Sequence, residues 1–332
     1  SNRVCKVVVE EFESRPYVQT SGAPQGSVLG PLFFNLFIND ISLCFKNSKF
    51  LLYADDLKIY LRTESWRDCF DLQNDLNNLS EWWRLNSLHL NLDKCFHVSF
   101  YRSLHPINFV FSISRHTLKN VKSKLDLGVV FDTSMSFIPH IEYIVPRAYK
   151  MLGFLKRNCS EFSDPYTLKY IYTSFVRSKL EYASVIWSPH ISVYIYRIER
   201  VQRKFIKFAL RSLNHLESVH YPSKCLFIGL RTLEYRRIFQ SSVLVFDIIN
   251  GNIDCSNLLE LIPLYVPPRT LRYIDTFNIP VHRTNYALNG VLTRTFIFLN
   301  NINLDLQKKS NSFIEFCTTK DKFKLFLFTV IK

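Results

Sequence analysis

The chain has 332 residues, of which 47% are hydrophobic, so it is long enough for about two domains and apolar enough to build their cores. Global disorder is excluded on that ground, and eight Gly and 13 Pro exclude a collagen-like or linker-like chain. Lys and Arg number 42 against 28 Asp and Glu, and this net charge of +14 points to a polyanion as partner, nucleic acid first.

The charge is uneven. Residues 1–135 carry 15 basic and 14 acidic side chains, residues 136–250 carry 17 and 8, and residues 251–332 carry 10 and 6. An acid-rich part beside a base-rich part suits a metal-dependent enzyme acting on a polyanion. The eight Cys form no CxxC pair, so a zinc site is not expected and a reducing compartment is. No apolar run approaches the ~20 residues a membrane-spanning helix needs, so no membrane partner is expected.

In chain order, VCKVVVEEF and PYVQT read as short strands. SGAPQGSVLG (21–30) is a loop of small residues, with Gly22, Gly26 and Gly30 recurring every four positions. Backbone so free of side chains suits close approach to another group or a helix-entry loop. Pro31 fits the first turn of a helix running to about Phe45. KFLLYADDLKIYL then reads as strand, tight turn, strand. Cys69, Leu72, Leu76, Leu79 and Trp83 have helical spacing within 65–88, which places Trp82 and Trp83 in core packing. Short strands are expected in CFHVSFY, INFVFSI and KLDLGVVFD. Helices are expected near 137–158, 165–187, 191–213 and 232–250, with breaks at Asp164–Pro165 and Ser188–Pro189. Prolines fragment the region beyond 251, and KFKLFLFTVI reads equally as helix or strand.

Tyr53-Ala54-Asp55-Asp56, flanked on both sides by apolar strands, places two carboxylates at a hairpin tip. Adjacent carboxylates repel and call for a cation; Mg²⁺ takes oxygen ligands and leaves positions open for phosphate oxygens. An isolated Asp pair is more often an acidic surface turn. Farther on, Arg197, Arg200, Lys204, Lys207 and Arg211 repeat at 3, 4, 3, 4 and form one helical stripe, beside a core-facing stripe of Ile198, Val201, Phe205 and Phe208. Five cations on one face suit backbone phosphates of a duplex, or a solvated surface.

SGAPQGSVLGPLFFNLFINDI (21–41) followed by LLYADDLKIYL (51–61) resembles reverse transcriptases, and most of all the polymerases of non-LTR retrotransposons of the jockey-like group. In that family the first segment is motif B and YADD is motif C. WWRLNSLHLNLDKC (82–95) resembles motif D, and LDLGVVFDTSMSFIPHI (125–141) the next block, with the strand region that grips the primer. SKLEYASVIWSP (178–189) and RIERVQRKFIKFALR (197–211) resemble the region behind the polymerase core.

The resemblance implies an α+β fold: part of a right-hand polymerase palm (1–135, antiparallel sheet with helices), a helical thumb-like region (136–215) and a C-terminal extension (216–332). It implies RNA-directed DNA synthesis, in which a primer 3′-OH attacks the α-phosphate of a dNTP on an RNA template. Asp55 and Asp56 would hold Mg²⁺, with Mn²⁺ able to replace it. Lys94 would serve the leaving pyrophosphate as general acid or by steadying its developing charge. Pro24, Gln25, Gly26, Tyr53 and Ala54 would line the nucleotide and template site, and the five basic residues of the stripe would grip the nucleic-acid backbone. The family's motif A, with a further catalytic Asp, lies upstream of motif B, and the residues before Gly22 contain no Asp. The chain is therefore expected to be an N-terminally truncated piece, inactive alone, whose partners include upstream fingers, motif A and endonuclease regions of a parent polypeptide. A truncated or decayed copy that binds nucleic acid without catalysis is the alternative. The expected location is intracellular, in nucleus or cytoplasm, as a ribonucleoprotein.

Overall fold

The computed structural model describes residues 3–19, 22, 26–88, 90–101, 106–211, 213, 218–267, 269, 273–282, 284–310, 314–316 and 318–331. It divides into two compact units, Ser1–Lys122 and Ser123–Lys332.

In the first unit, β1 (Arg3–Cys5) pairs with β4 (Tyr17–Gln19) around the inner hairpin of β2 (Val8–Val9) and β3 (Phe12–Glu13). Helix α1 (Gly30–Ile38) starts on Pro31 and tightens into a 3₁₀ helix over Asn39–Cys44. A hairpin follows, β5 (Lys49–Tyr53) and β6 (Asp56–Tyr60). Helix α2 (Trp66–Leu85) opens on a reciprocal cap: the Ser65 hydroxyl accepts from the Asp68 N–H, and the Asp68 carboxylate accepts from the Ser65 N–H. Four pairing segments close the unit: β7 (Phe96–His97), β8 (Ser112–Ile113), β9 (His116–Thr117) and β10 (Lys119–Asn120). The core joins Ile38, Ile41 and Cys44 to Leu76, Leu79 and Trp82 of α2 and to Phe111, Ile113 and Leu118. Trp82 is buried and Trp83 packs partly buried beside it, as the helical spacing requires.

The single antiparallel sheet expected here is not assembled among the described residues. Every ladder has two strands, and β7 pairs with β10 in parallel. At Ser112, whose strand β8 pairs only with β9, a side chain stands where a further strand would pair. The Gln73 amide donates to the Ser112 carbonyl at 2.8 Å and accepts from its N–H at 2.9 Å. Phe109 meets Trp66 and Phe70 edge-on. Backbone groups satisfied in this way need no strand partner.

The second unit begins with β11 (Ser123–Asp126) and β12 (Val129–Asp132), joined by Leu127 and Gly128, both with positive φ (+42° and +83°), as a type I′ turn demands. Helix α3 (Ile138–Asn158) follows, as expected. Its start is held by Asp132, which accepts from the N–H groups of Ser136 and Phe137.

The helix expected over 165–187 is interrupted. It runs as α4 (Pro165–Tyr172), a π-helical turn (Thr173–Arg177), α5 (Ser178–Glu181) and α6 (Ser184–Trp187). Ala183 sits at φ +50°, and the Trp187 indole N–H donates to the Tyr182 carbonyl at 2.8 Å, so the backbone turns there without leaving that carbonyl unpaired. Then come α7 (Ser192–Ala209), α8 (Tyr221–Phe227) and α9 (Leu233–Ile249). Beyond residue 250 the chain forms α10 (Ser256–Leu259), α11 (Asn285–Leu288), α12 (Val291–Ser310) and α13 (Lys320–Val330). The C-terminal segment is thus a helix. A first core lies among α3, α4, α7 and α8, with Tyr172 stacked on Phe205 at 4.0 Å. A second joins α9 to α12, α13 and Phe277. Helix α9 feeds both, through Leu233 and then Val245 and Phe246.

Candidate functional site

The β5–β6 register sorts the hairpin's side chains onto two faces. Cross-strand pairs Phe50 with Ile59 and Leu52 with Leu57 point one way and pack half-buried on the first unit's core. The pairs Leu51 with Lys58 and Tyr53 with Asp56 point the other way. Tyr53 is 67% exposed, and both Asp55 and Asp56 are exposed. Only two residues, Ala54 and Asp55, make the turn, and Ala54 holds φ +51°. A non-glycine residue in that region is strained by roughly 1–2 kcal/mol. The tight turn brings two adjacent carboxylates to one exposed tip next to an aromatic ring. Carboxylate oxygens are the donor type that Mg²⁺ and Mn²⁺ accept. Among the described residues no group of three or more His, Cys, Asp or Glu forms a metal site.

A buried carboxylate fixes the hairpin's entry. Asp75 of α2 is fully buried and collects the turn before β5. It accepts from the N–H groups of Lys46 (3.2 Å), Asn47 (3.0 Å) and Ser48 (2.8 Å) and from the Ser48 hydroxyl (2.7 Å). Burial pushes its pKa up, and these hydrogen bonds outweigh burial and hold it below the usual carboxylate range. The one signal in the sequence is its position, three residues after Leu72 and four before Leu79, which puts an acid on the apolar side of α2.

Pro24 and Gln25 lie outside the described residues. Gly22 and Gly26 have φ +84° and +80°, and a Cβ on Gly26 would meet nothing within 4 Å. The Gly22 carbonyl accepts from the Arg3 guanidinium. Lys94 is exposed at the end of a 3₁₀ turn, Leu92–Lys94. No hydrogen bond or ion pair joins it to Asp55 or Asp56 among the described residues.

Arg197, Arg200, Lys204 and Lys207 are exposed along α7, away from buried Ile198, Val201 and Phe205, and Arg211 is exposed in the turn just past its end, because the helix expected to 213 stops at Ala209. Three of them have partners within the unit. Arg197 pairs with Glu142 at 3.7 Å. Lys204 lies over the Tyr149 ring at 4.7 Å. Arg211 donates to the carbonyls of Ser160 and Phe162, both at 2.7 Å. Tertiary structure adds Lys156 of α3, which sequence reasoning missed. Burial, with Lys204 and Lys207 close by, lowers its pKa. Tyr149 and Lys156 are seven positions apart on α3, the one signal in the sequence that they share a face. Cations gathered in this way favour a bound polyanion.

Residues 3–154 match the family model described as "Reverse transcriptase (RNA-dependent DNA polymerase)". The chain is 28% identical over 159 residues to the probable RNA-directed DNA polymerase from transposon BS of Drosophila melanogaster, covering 45% of this chain and 18% of that protein. It is 28% identical over 197 residues to the probable RNA-directed DNA polymerase from transposon X-element of the same species, covering 55% and 21%. The RNA-directed DNA polymerase from mobile element jockey of Drosophila funebris is 25% identical over 198 residues, covering 56% and 21%. The matches therefore span about a fifth of these relatives' length. No solved structure matches the chain.

Proposed function

We infer that this chain, whose residues 3–154 match the reverse transcriptase family model, is part of the RNA-directed DNA polymerase of a non-LTR, jockey-like element. The observation that carries the reading is the strained two-residue turn that leaves Asp55 and Asp56 both exposed at the hairpin's tip. The substrates are a primer on an RNA template and dNTPs. By resemblance to the family motifs, Tyr53, Ala54, Pro24, Gln25 and Gly26 belong to the nucleotide and template site.

Asp55 and Asp56 would hold a divalent ion, Mg²⁺ or Mn²⁺ in its place, and the bound ion would neutralise charge on the reacting phosphate. Lys94 supplies a proton or positive charge for the leaving pyrophosphate. The α7 stripe binds backbone phosphates. The third carboxylate comes from the motif A strand of the parent polypeptide, whose fingers and endonuclease regions are the chain's partners in a nuclear or cytoplasmic ribonucleoprotein.

Primer extension on an RNA template tests this. The parent polypeptide should extend the primer, and Asp55→Ala should abolish extension while leaving primer–template binding intact. Extension that persists with Asp55→Ala refutes the metal site. The exposed cations of the α7 stripe, which serve binding alone, support a second reading, a copy that binds nucleic acid without catalysis. Binding without extension, even with the motif A segment supplied, selects it.

A further inference from the structure

We propose that the outward face of α4 is a stacking surface for unpaired bases, so that single-stranded nucleic acid continues from the α7 stripe onto Tyr166 and Tyr170. The inference rests on the nucleic-acid reading of that stripe and adds a second, sequence-tolerant mode of contact.

Tyr166 and Tyr170 are one helical turn apart on α4 and are 50% and 67% exposed. The Lys169 ammonium lies over both rings, 5.5 Å from one centroid and 5.1 Å from the other. This ladder is braced from behind. The Tyr166 hydroxyl donates to the Phe227 carbonyl at 3.4 Å. Gly229, at φ +68°, backs the lysine, since a Cβ there would stand 3.1 Å from the Lys169 Nζ. Two exposed aromatic rings with one cation close to both combine what base stacking and phosphate attraction each require.

The ladder is continuous with the stripe. Arg211, its last member, donates to the carbonyls of Ser160 and Phe162 in the loop that leads into α4. Phe162, 47% exposed, extends the aromatic surface toward it. The carboxylate at this end, Asp164, is turned onto its own helix: it accepts from the Tyr166 and Thr167 N–H groups and the Thr167 hydroxyl.

Charge selects the occupant. Residues 123–332 carry 28 basic and 16 acidic side chains, a net +12, which favours a polyanion over an apolar protein surface. A duplex keeps its bases paired and stacked, so it can use the stripe but not the rings. A single strand can use both.

The test is fluorescence anisotropy of the full chain with a labelled oligo(dT) strand and a labelled duplex of equal length, across a salt series. Tyr166→Ala and Tyr170→Ala should each weaken oligo(dT) binding by about fivefold or more, leave duplex binding unchanged, and leave the salt slope unaltered. Tyr170→Trp should retain single-strand affinity. The pair Lys204→Gln and Lys207→Gln should lower the salt slope for both ligands, by roughly one unit per phosphate contact. Both tyrosines are exposed, so circular dichroism should show a native fold in every variant. Unchanged oligo(dT) affinity in the Ala variants overturns the stacking surface while the stripe reading stands. So does equal loss on strand and duplex. Failure of the unmodified chain to bind either ligand overturns both.

Discussion

Asp75 links the helix to the carboxylate hairpin, and Asp75→Asn isolates that link. The two side chains have nearly the same shape, but an amide keeps one acceptor oxygen and turns two N–H donors toward the other side. With the amide oxygen placed toward Ser48 and the Asn47 N–H, the new amide nitrogen would face the Lys46 N–H and the Asn47 side-chain amide, which stand 3.2 and 3.4 Å from the native carboxylate. Two part-buried donors lose their acceptor, and the remaining bonds, those to buried Ser48 included, lose their charge. At the lower end of the ~1–3 kcal/mol for each unsatisfied donor, the expected destabilisation is about 2 kcal/mol. Trp66, Trp82 and Trp83, three of the four tryptophans, lie in the first unit, so urea unfolding followed by tryptophan fluorescence reports mainly on it. Hydrogen exchange should show β5 and β6 amides losing protection first. The carboxyl's folded pKa is depressed, so its stabilisation is present above the unfolded value of ~3.9 and disappears as pH falls through the lower folded value. The substitution should therefore also flatten the acid limb of the stability curve. A variant within ~0.5 kcal/mol of the unmodified protein, with β5 still protected, would refute the anchoring role.

Three further outcomes are expected. His140 is buried, accepts from the Val130 N–H at 3.2 Å, and has a pKa lowered to about 4 by burial. The unfolded chain then binds the extra proton below pH ~6.5, so stability should fall by up to about 3 kcal/mol between pH ~6.5 and ~4. His140→Gln should remove that slope, and an unchanged slope on titration assigns it elsewhere. Gly128→Ala puts a Cβ 2.8 Å from the Tyr182 ring at φ +83°, which should cost about 2 kcal/mol in thermal unfolding. In a Tyr182→Ala background the penalty should shrink toward the backbone strain alone; an equal penalty in both backgrounds denies the contact. Asp55→Asn combined with Asp56→Asn should abolish Mn²⁺ binding measured by electron spin resonance and leave the melting temperature unchanged, since both side chains are exposed. Retained binding would place the ion elsewhere.

Much of the site was legible because its signals are local. The period of two around Tyr53–Asp56 already assigns Phe50, Leu52, Leu57 and Ile59 to the core face, and pairing across the turn does the rest. The 3, 4, 3, 4 spacing on α7 likewise separates a basic face from Ile198, Val201 and Phe205 without any tertiary information. The break at Tyr182–Ala183 was not legible, because the left-handed residue is an alanine and its neighbour's partner lies far along the chain: the Tyr182 hydroxyl donates to the Leu127 carbonyl at 3.0 Å. The missing third strand was hidden for the same reason, since a glutamine 39 residues away satisfies Ser112.

The residues proposed to carry the chemistry are picked out within the chain before folding, because motif, periodicity and charge count act within a few residues of one another. Packing settled what holds those residues in place and what joins them. Asp75 meets the turn before β5 only once α2 has packed, Lys156 reaches the α7 stripe only across two helices, and Tyr166 and Tyr170 become an open, braced face only when α8 closes behind them. Burial and long-range contact set those roles, and neither is encoded in the spacing of a single segment.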